Sequence, residues 1–153
     1  MAEHCEQRRL PYAPDLIFDL VADVERYSEF LPWCEKLTVL SRERRGDEEL
    51  LVAEMTVAFK VYRERFKTEV TLNRHARTIS VAYLKGPFKR LANEWRFTPD
   101  GDGTMVDFFI AFEFKSRALQ MLVGLLFEEA FRRLVAAFDA RARALYGRRT
   151  AQA

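Results

Sequence analysis

The chain has 153 residues, 49% of them hydrophobic and 31% charged, with a formal net charge of +2. That length predicts one domain able to bury about two-thirds of the surface its unfolded chain exposes. The near-neutral charge excludes a general polyanion binder, DNA included, and Cys5 and Cys34 are too few for a disulfide framework or a cysteine zinc site.

The opening Met-Ala-Glu-His-Cys-Glu lacks the basic segment and apolar run of a signal peptide. A reducing cytoplasm is therefore the expected compartment. The apolar run 119–127 is far shorter than the ~20 residues a membrane span requires, so any membrane contact is expected to be peripheral.

Residues 3–10 read as a first strand ending at Pro11. Pro14 and Asp15 then open a helix, with proline in the first turn and an acid near the positive end of the dipole. Leu16, Ile17, Leu20, Val21 and Val24 form its buried face, and a short second helical segment runs through Tyr27 and Phe30 until Pro32 stops it. From there the period is two, with strands over 36–45, 50–60, 62–72, 77–84, 90–98 and 104–114. Gly46-Asp47, Gly86-Pro87 and Pro99-Asp100-Gly101-Asp102-Gly103 mark turns between them.

A last helix spans 116–146, with Ser116 as N-cap and Gly147 as the expected left-handed C-cap. Leu119, Val123, Phe127, Phe131, Leu134, Phe138, Ala142 and Leu145 form one stripe along it. Its beginning, 118–127, is apolar nearly all round and calls for a second apolar partner. Gly124 is the soft point of that stretch, since a mid-helix glycine costs about 1 kcal/mol relative to alanine. Hairpin-length connections imply an antiparallel seven-stranded sheet. One long helix covers its buried face, an α+β layer arrangement over 1–147, with 148–153 as a disordered tail. A sheet of that size curls and leaves a volume under the helix.

No Gly-x-Ser-x-Gly elbow, Walker loop or dinucleotide fingerprint occurs, and Gly86, Gly101 and Gly103 read as turn glycines. His4 and His75 read as surface residues, and a histidine zinc site needs more ligands than these. No catalytic residue, metal or required cofactor is expected. Alternation points Glu64 and Asn93 inward. They are the candidate polar anchors of an apolar cavity, the other reading of Glu64 being a pair with an arginine near the sheet edge. Glu64 with Tyr83 is the one acid/base pair that can be nominated.

The stronger signal is apolar. Phe30, Trp33, Phe59, Phe66, Tyr83, Phe88, Trp95, Phe108 and Phe112 exceed what a helix–sheet interface of this size needs. With Leu122 and Leu126 they are the candidate cavity lining, plain core being the alternative for each. Phe88 sits in Lys85-Gly86-Pro87-Phe88-Lys89-Arg90 and is expected to be exposed, over a pocket mouth or against an anionic membrane, the alternative being a ring folded back onto the sheet. The outward row Arg63, Arg65 and Lys67, with the arginines of the last helix, is the candidate phosphate-directed surface.

The stretch Phe18-Asp19-Leu20-Val21-Ala22-Asp23-Val24-Glu25-Arg26-Tyr27-Ser28-Glu29-Phe30-Leu31-Pro32-Trp33-Cys34 resembles the opening of the coenzyme Q-binding START-like proteins. These belong with the polyketide cyclase/dehydrase-related group and are similar to the bacterial ribosome-association toxin proteins. Gly86-Pro87-Phe88-Lys89, Trp95-Arg96-Phe97, Val106-Asp107-Phe108 and Phe112-Glu113-Phe114 resemble the family's later motifs. The resemblance implies a helix-grip fold of the START/Bet v 1 type, with a curved seven-stranded sheet wrapped around the last helix and enclosing an apolar tunnel. It implies ubiquinone as bound ligand, with no reaction catalysed, support of respiratory electron transport, and transient contact at the inner face of the respiratory membrane. The toxin branch implies instead a partner in the large ribosomal subunit.

Overall fold

The computed structural model describes residues 2–152, with side chains described through Gly147. The tail expected at 148–153 therefore lies outside the fully described residues.

The first strand, β1 (Ala2–Leu10), alternates in burial at every step, so its even residues face the body of the protein. Helix α1 (Pro14–Ala22) starts with Pro14 in its first turn, where the missing N–H costs nothing, and buries Ile17, Phe18, Leu20 and Val21. A 3-10 segment, Val24–Glu29, follows. It is held by the Tyr27 hydroxyl, which donates to the carbonyl of Val21.

Six strands then run in sequence: β2 (Cys34–Arg45), β3 (Glu48–Phe59), β4 (Tyr62–Asn73), β5 (Thr78–Lys85), β6 (Phe88–Asp100) and β7 (Gly103–Phe114). Every neighbouring pair is antiparallel, in the order β1-β7-β6-β5-β4-β3-β2. Ala2 pairs with Phe112, so β1 and β2 form the two edges, and α1 bridges between them. Irregularities at Cys34/Lys36, Val39/Ser41, Lys67/Thr68 and Phe88/Arg90 bend the strands they interrupt.

Helix α2 (Arg117–Gln152) crosses the concave face. Ser116 caps it: its hydroxyl accepts from Leu119 N–H at 3.1 Å and its carbonyl from Gln120 N–H at 3.0 Å. The Gln120 amide oxygen reaches back to Phe114 N–H at 2.8 Å, which ties the helix start to the end of β7. Two expectations are corrected at the other end. Gly147 lies inside the helix, which continues past it because its backbone stays right-handed. Leu145 is half exposed, and the adjacent Tyr146 turns inward instead, donating from its hydroxyl to Leu16 O at 3.1 Å and packing on Tyr12.

The dense core lies at one end only. It joins Ile17, Phe18, Leu20, Val21 and Val24 to Leu51, Ala53, Val70, Leu72, Ile79, Phe97 and Val106. From α2 it takes Ala142, with Phe138 and Tyr146 packed against it. Among the described residues, nothing of α2 before Phe138 joins that cluster. The structure therefore divides α2 into a clamped second half and a first half that covers something else.

Candidate functional site

Beneath the first half of α2 the concave face is aromatic. Phe112 meets Phe127 with ring centroids 5.5 Å apart, Phe108 meets Phe131 at 5.2 Å, and Trp95 stands edge-on to Phe108 at 4.6 Å and to Phe138 at 5.3 Å. Phe30 extends the wall toward α1, against Phe138 and Tyr27. Edge-to-face and offset pairs of this kind add about 0.5–1.5 kcal/mol each beyond area burial. Leu122 and Leu126 are half-buried on the helix side of the same space.

Phe88 is corrected by the structure. It is only 8% exposed, because β6 begins at Phe88 itself and turns its ring into the sheet's concave face. The ring packs between Phe66, Tyr83, Phe112 and Phe114, at 5.2, 5.6, 6.1 and 4.5 Å. The Tyr83 hydroxyl accepts from Phe88 N–H at 3.1 Å and locks the turn. Gly86 makes this inward fold feasible. Its φ is +149°, and a Cβ there would stand 2.4 Å from Phe66 Cβ and 2.9 Å from Phe66 Cα.

Trp33 and Phe59 pack edge-on at 5.6 Å on the far side of the wall. With Lys60, Leu126, Glu129, Ala130 and Arg133 they frame a cavity of about 360 Å³ that opens to solvent. This lies at the small end of the range for small-molecule sites. The continuous tunnel that the family resemblance implies is here an open mouth backed by rings in contact. Trp33 and Lys60 both hold left-handed backbone, at φ +66° and +55°. A non-glycine residue there carries strain of order 1–3 kcal/mol. The Trp33 carbonyl accepts from Ala58 N–H at 3.0 Å, which anchors the strained residue to β3.

The polar groups divide. Asn93 is engaged: its amide donates to Phe109 O at 2.8 Å, and its oxygen accepts from the Trp95 indole at 2.9 Å. It orients Trp95 in the wall. Glu64, half-buried on β4 opposite Val57, finds no hydrogen bond or ion pair among the described residues. It shares its face of β4 with Phe66 and Val70. No hydrogen bond joins Glu64 to Tyr83 among the described residues, and the Tyr83 hydroxyl is taken up by the turn.

His4, read from sequence as a surface residue, is the one the sequence reasoning missed. Its even position on β1 points it at α2, where its ring lies 3.8 Å from that of Phe131. Its Nε2 is buried without a hydrogen-bond partner among the described residues, 4.0 Å from Glu6. The sequence of β1 carries no apolar alternation that would have announced it, since its even positions include Glu6 and Arg8. His75 is exposed, as expected. Burial pushes the Cys34 thiol up to about 11 and raises the Tyr27 phenol as well. Among the described residues no group of histidine, cysteine and acidic side chains could hold a metal ion. A broader depression, about 860 Å³, lies on the convex face between β1, β7, β6 and β5. Within it Gln7 donates to Asp107 and Ser80 to Glu94.

Known proteins share this architecture. The sequence pattern of the family described as polyketide cyclase / dehydrase and lipid transport matches residues 10–139. A protein of Pseudomonas aeruginosa named as a ribosome association toxin is 36% identical over 149 residues, 96% of this chain and 100% of its own length. The coenzyme Q-binding protein COQ10 homolog B of Xenopus laevis, mitochondrial, is 32% identical over 150 residues, covering 95% of this chain and 60% of its own. The solution structure of an 18 kDa protein of Caulobacter crescentus superposes with a TM-score of 0.81 at 42% identity, over 96% of this chain and 99% of that one. The grip of a curved seven-stranded sheet on one long helix and the match over 10–139 agree: the chain belongs to the polyketide cyclase / dehydrase and lipid transport family.

Proposed function

We propose that this chain is a non-catalytic binding protein for a prenylated quinone, ubiquinone or a similar isoprenoid lipid. The ligand lies between the aromatic wall and the first half of α2, and is carried to or from a membrane in support of respiratory electron transport. The observation that carries the reading is the wall itself. It is continuous and apolar, it opens between Trp33, Phe59, Leu126 and Ala130, and it holds no assembled acid/base pair among the described residues. Lipid transport in the family's description and the coenzyme Q-binding relative point the same way.

Each Å² of isoprenoid tail taken out of water contributes roughly 25 cal/mol. A cavity of about 360 Å³ admits only part of such a tail while α2 is seated. Entry therefore displaces the first half of α2, the part outside the dense core. A carboxylate only accepts hydrogen bonds, so in that form Glu64 suits a hydroxyl of the reduced quinone better than a quinone carbonyl. The test is uptake of ubiquinone from cyclodextrin, followed by co-elution with the protein. Saturable uptake that Ala130→Trp suppresses at the mouth supports the reading; absence of uptake by the native chain defeats it.

A second reading is binding to the large ribosomal subunit, favoured by the relatives named as ribosome association toxins. The outward row is a weak platform for phosphate, because Arg63 and Arg65 already reach Glu35 and Glu54, at 2.9 and 3.9 Å. Co-sedimentation with large subunits that weakens steeply with salt would support this reading. No co-sedimentation at low salt would end it.

A further inference from the structure

We propose that the end of the molecule bearing the cavity mouth is a docking surface for a bilayer containing anionic lipid. This rests on the lipid-binding reading and says where the ligand is exchanged. Strand pairing sets the start of β2, the β3–β4 turn, the β5–β6 turn and the junction of β7 with α2 all at that end. Three of its apolar side chains lie open: Val61 is 92% exposed, Met121 70% and Leu125 83%. Met121 and Leu125 are one helical turn apart, each next to a residue facing the wall, Leu122 or Leu126.

Cations outnumber acids at this end, where Glu64 is also unpaired. Lys60, Lys85, Lys115 and Arg117 reach no acidic partner among the described residues, and Lys89 and Arg90 share the single carboxylate of Glu113. Arg117 stands in the first turn of α2, which has no acidic residue. A cation at the positive end of a helix dipole opposes folding, so helix stability does not account for its place. At the opposite end most cations are paired. There Arg9 pairs with Asp100 and Asp102, Arg42 with Glu25, Arg45 with Glu43, Arg74 with Asp19 and Arg77 with Asp15. Arg44, Arg96 and Arg143 are the cations without acidic partners among the described residues of that end.

Exposed aliphatic side chains ringed by unpaired cations fit a negatively charged lipid surface. Seated this way, the mouth opens into the bilayer, and an apolar ligand passes between membrane and cavity without crossing water. Among the described residues no helix is long and apolar enough to cross a membrane, so the contact is made by these side chains.

The experiment is flotation of the full chain with vesicles of phosphatidylcholine alone or mixed with phosphatidylglycerol, at low and high salt. The native chain is expected to float with the anionic vesicles at low salt. Lys115→Gln/Arg117→Gln should lower partitioning roughly thirty-fold, the combined effect of two lost surface charges. Met121→Ser/Leu125→Ser should lower it as well. Arg44→Gln/Arg143→Gln, at the other end, should leave it unchanged. Failure of the native chain to float, or an equal loss in the opposite-end variant, overturns the proposal. So does a result in which the mouth variants lose binding to large ribosomal subunits and keep binding to vesicles. Quinone uptake from cyclodextrin, measured on the same proteins, needs no bilayer. It separates failure of the docking surface from failure of the ligand reading, and retained uptake shows the variants are folded.

Discussion

Replacing Gly86 with alanine tests how the cavity wall is assembled. The new Cβ would meet Phe66 Cβ at 2.4 Å, Phe66 Cα at 2.9 Å and the Arg65 carbonyl at 3.1 Å. Two of those three atoms are backbone of β4, so no side-chain rotation relieves the clash. The φ of +149° adds strain for any residue with a Cβ. Strain of about 1–3 kcal/mol and a comparable overpacking term give an expected loss of about 2–6 kcal/mol. For a domain of about 150 residues that lowers the midpoint of thermal unfolding by roughly 4–24 °C. The turn can escape only by lifting, which draws Phe88 away from Phe66, Phe112 and Phe114, so quinone uptake should fall in parallel. Gly101→Ala is the control, since Gly101 is also left-handed, at φ +62°, but its Cβ would come no nearer than 3.8 Å to Arg9. Thermal unfolding followed by circular dichroism reads both. A Gly86→Ala protein that melts within about 2 °C of the native chain and of Gly101→Ala would refute the packing argument.

Other consequences follow from single side chains. Gly124 has nothing within 4 Å of an added Cβ, so Gly124→Ala should raise stability by about 1 kcal/mol. If ligand exchange is then untouched, Gly124 has no part in gating. Ser116→Ala removes the hydroxyl that accepts from Leu119 N–H and should cost about 1 kcal/mol in denaturant unfolding; an unchanged midpoint would show that the cap contributes nothing. The Cys34 thiol is raised from 9.0 to about 11 by burial, so the folded state holds that proton more tightly. Its contribution to stability is whole below pH 9.0 and fades as pH climbs toward about 11. Cys34→Ala should flatten the decline across that window in pH-dependent unfolding, and an unaltered slope would contradict the assignment. Glu64→Gln should weaken binding of the reduced quinone more than the oxidised form, and equal changes for both would remove Glu64 from the head-group contact.

The layers were legible because the chain states them twice, in period and in punctuation. Strands from β1 to β7 fall within about two residues of where alternation and turn residues place them, and Ser116 announces its helix by chemistry alone. The exposed reading of Phe88 failed because neighbouring Lys and Arg suggest solvent, whereas the strand begins at Phe88, two residues earlier than expected. His4 was misjudged because a residue near a chain end gives no sign that an edge strand will pair with β7 and face α2. The division of α2 was visible as an apolar surround at 118–127. What it covers was not, since ring contacts between Phe112 and Phe127 or Trp95 and Phe138 depend on strand order rather than on spacing. Asn93 shows the same limit: alternation points it inward, but only the fold reveals that Trp95 and the Phe109 carbonyl take up its amide.

Identifying what travels with the native protein tests the central claim most directly. The chain would be purified from its own cells without detergent, extracted with organic solvent, and the extract analysed by mass spectrometry beside an extract of a Leu126→Trp/Ala130→Trp protein prepared in parallel. An isoprenoid quinone is expected in near-stoichiometric amount in the native extract, strongly depleted in the mouth-blocked one. A native extract free of any isoprenoid lipid, from a protein that also takes up none from cyclodextrin, would contradict it.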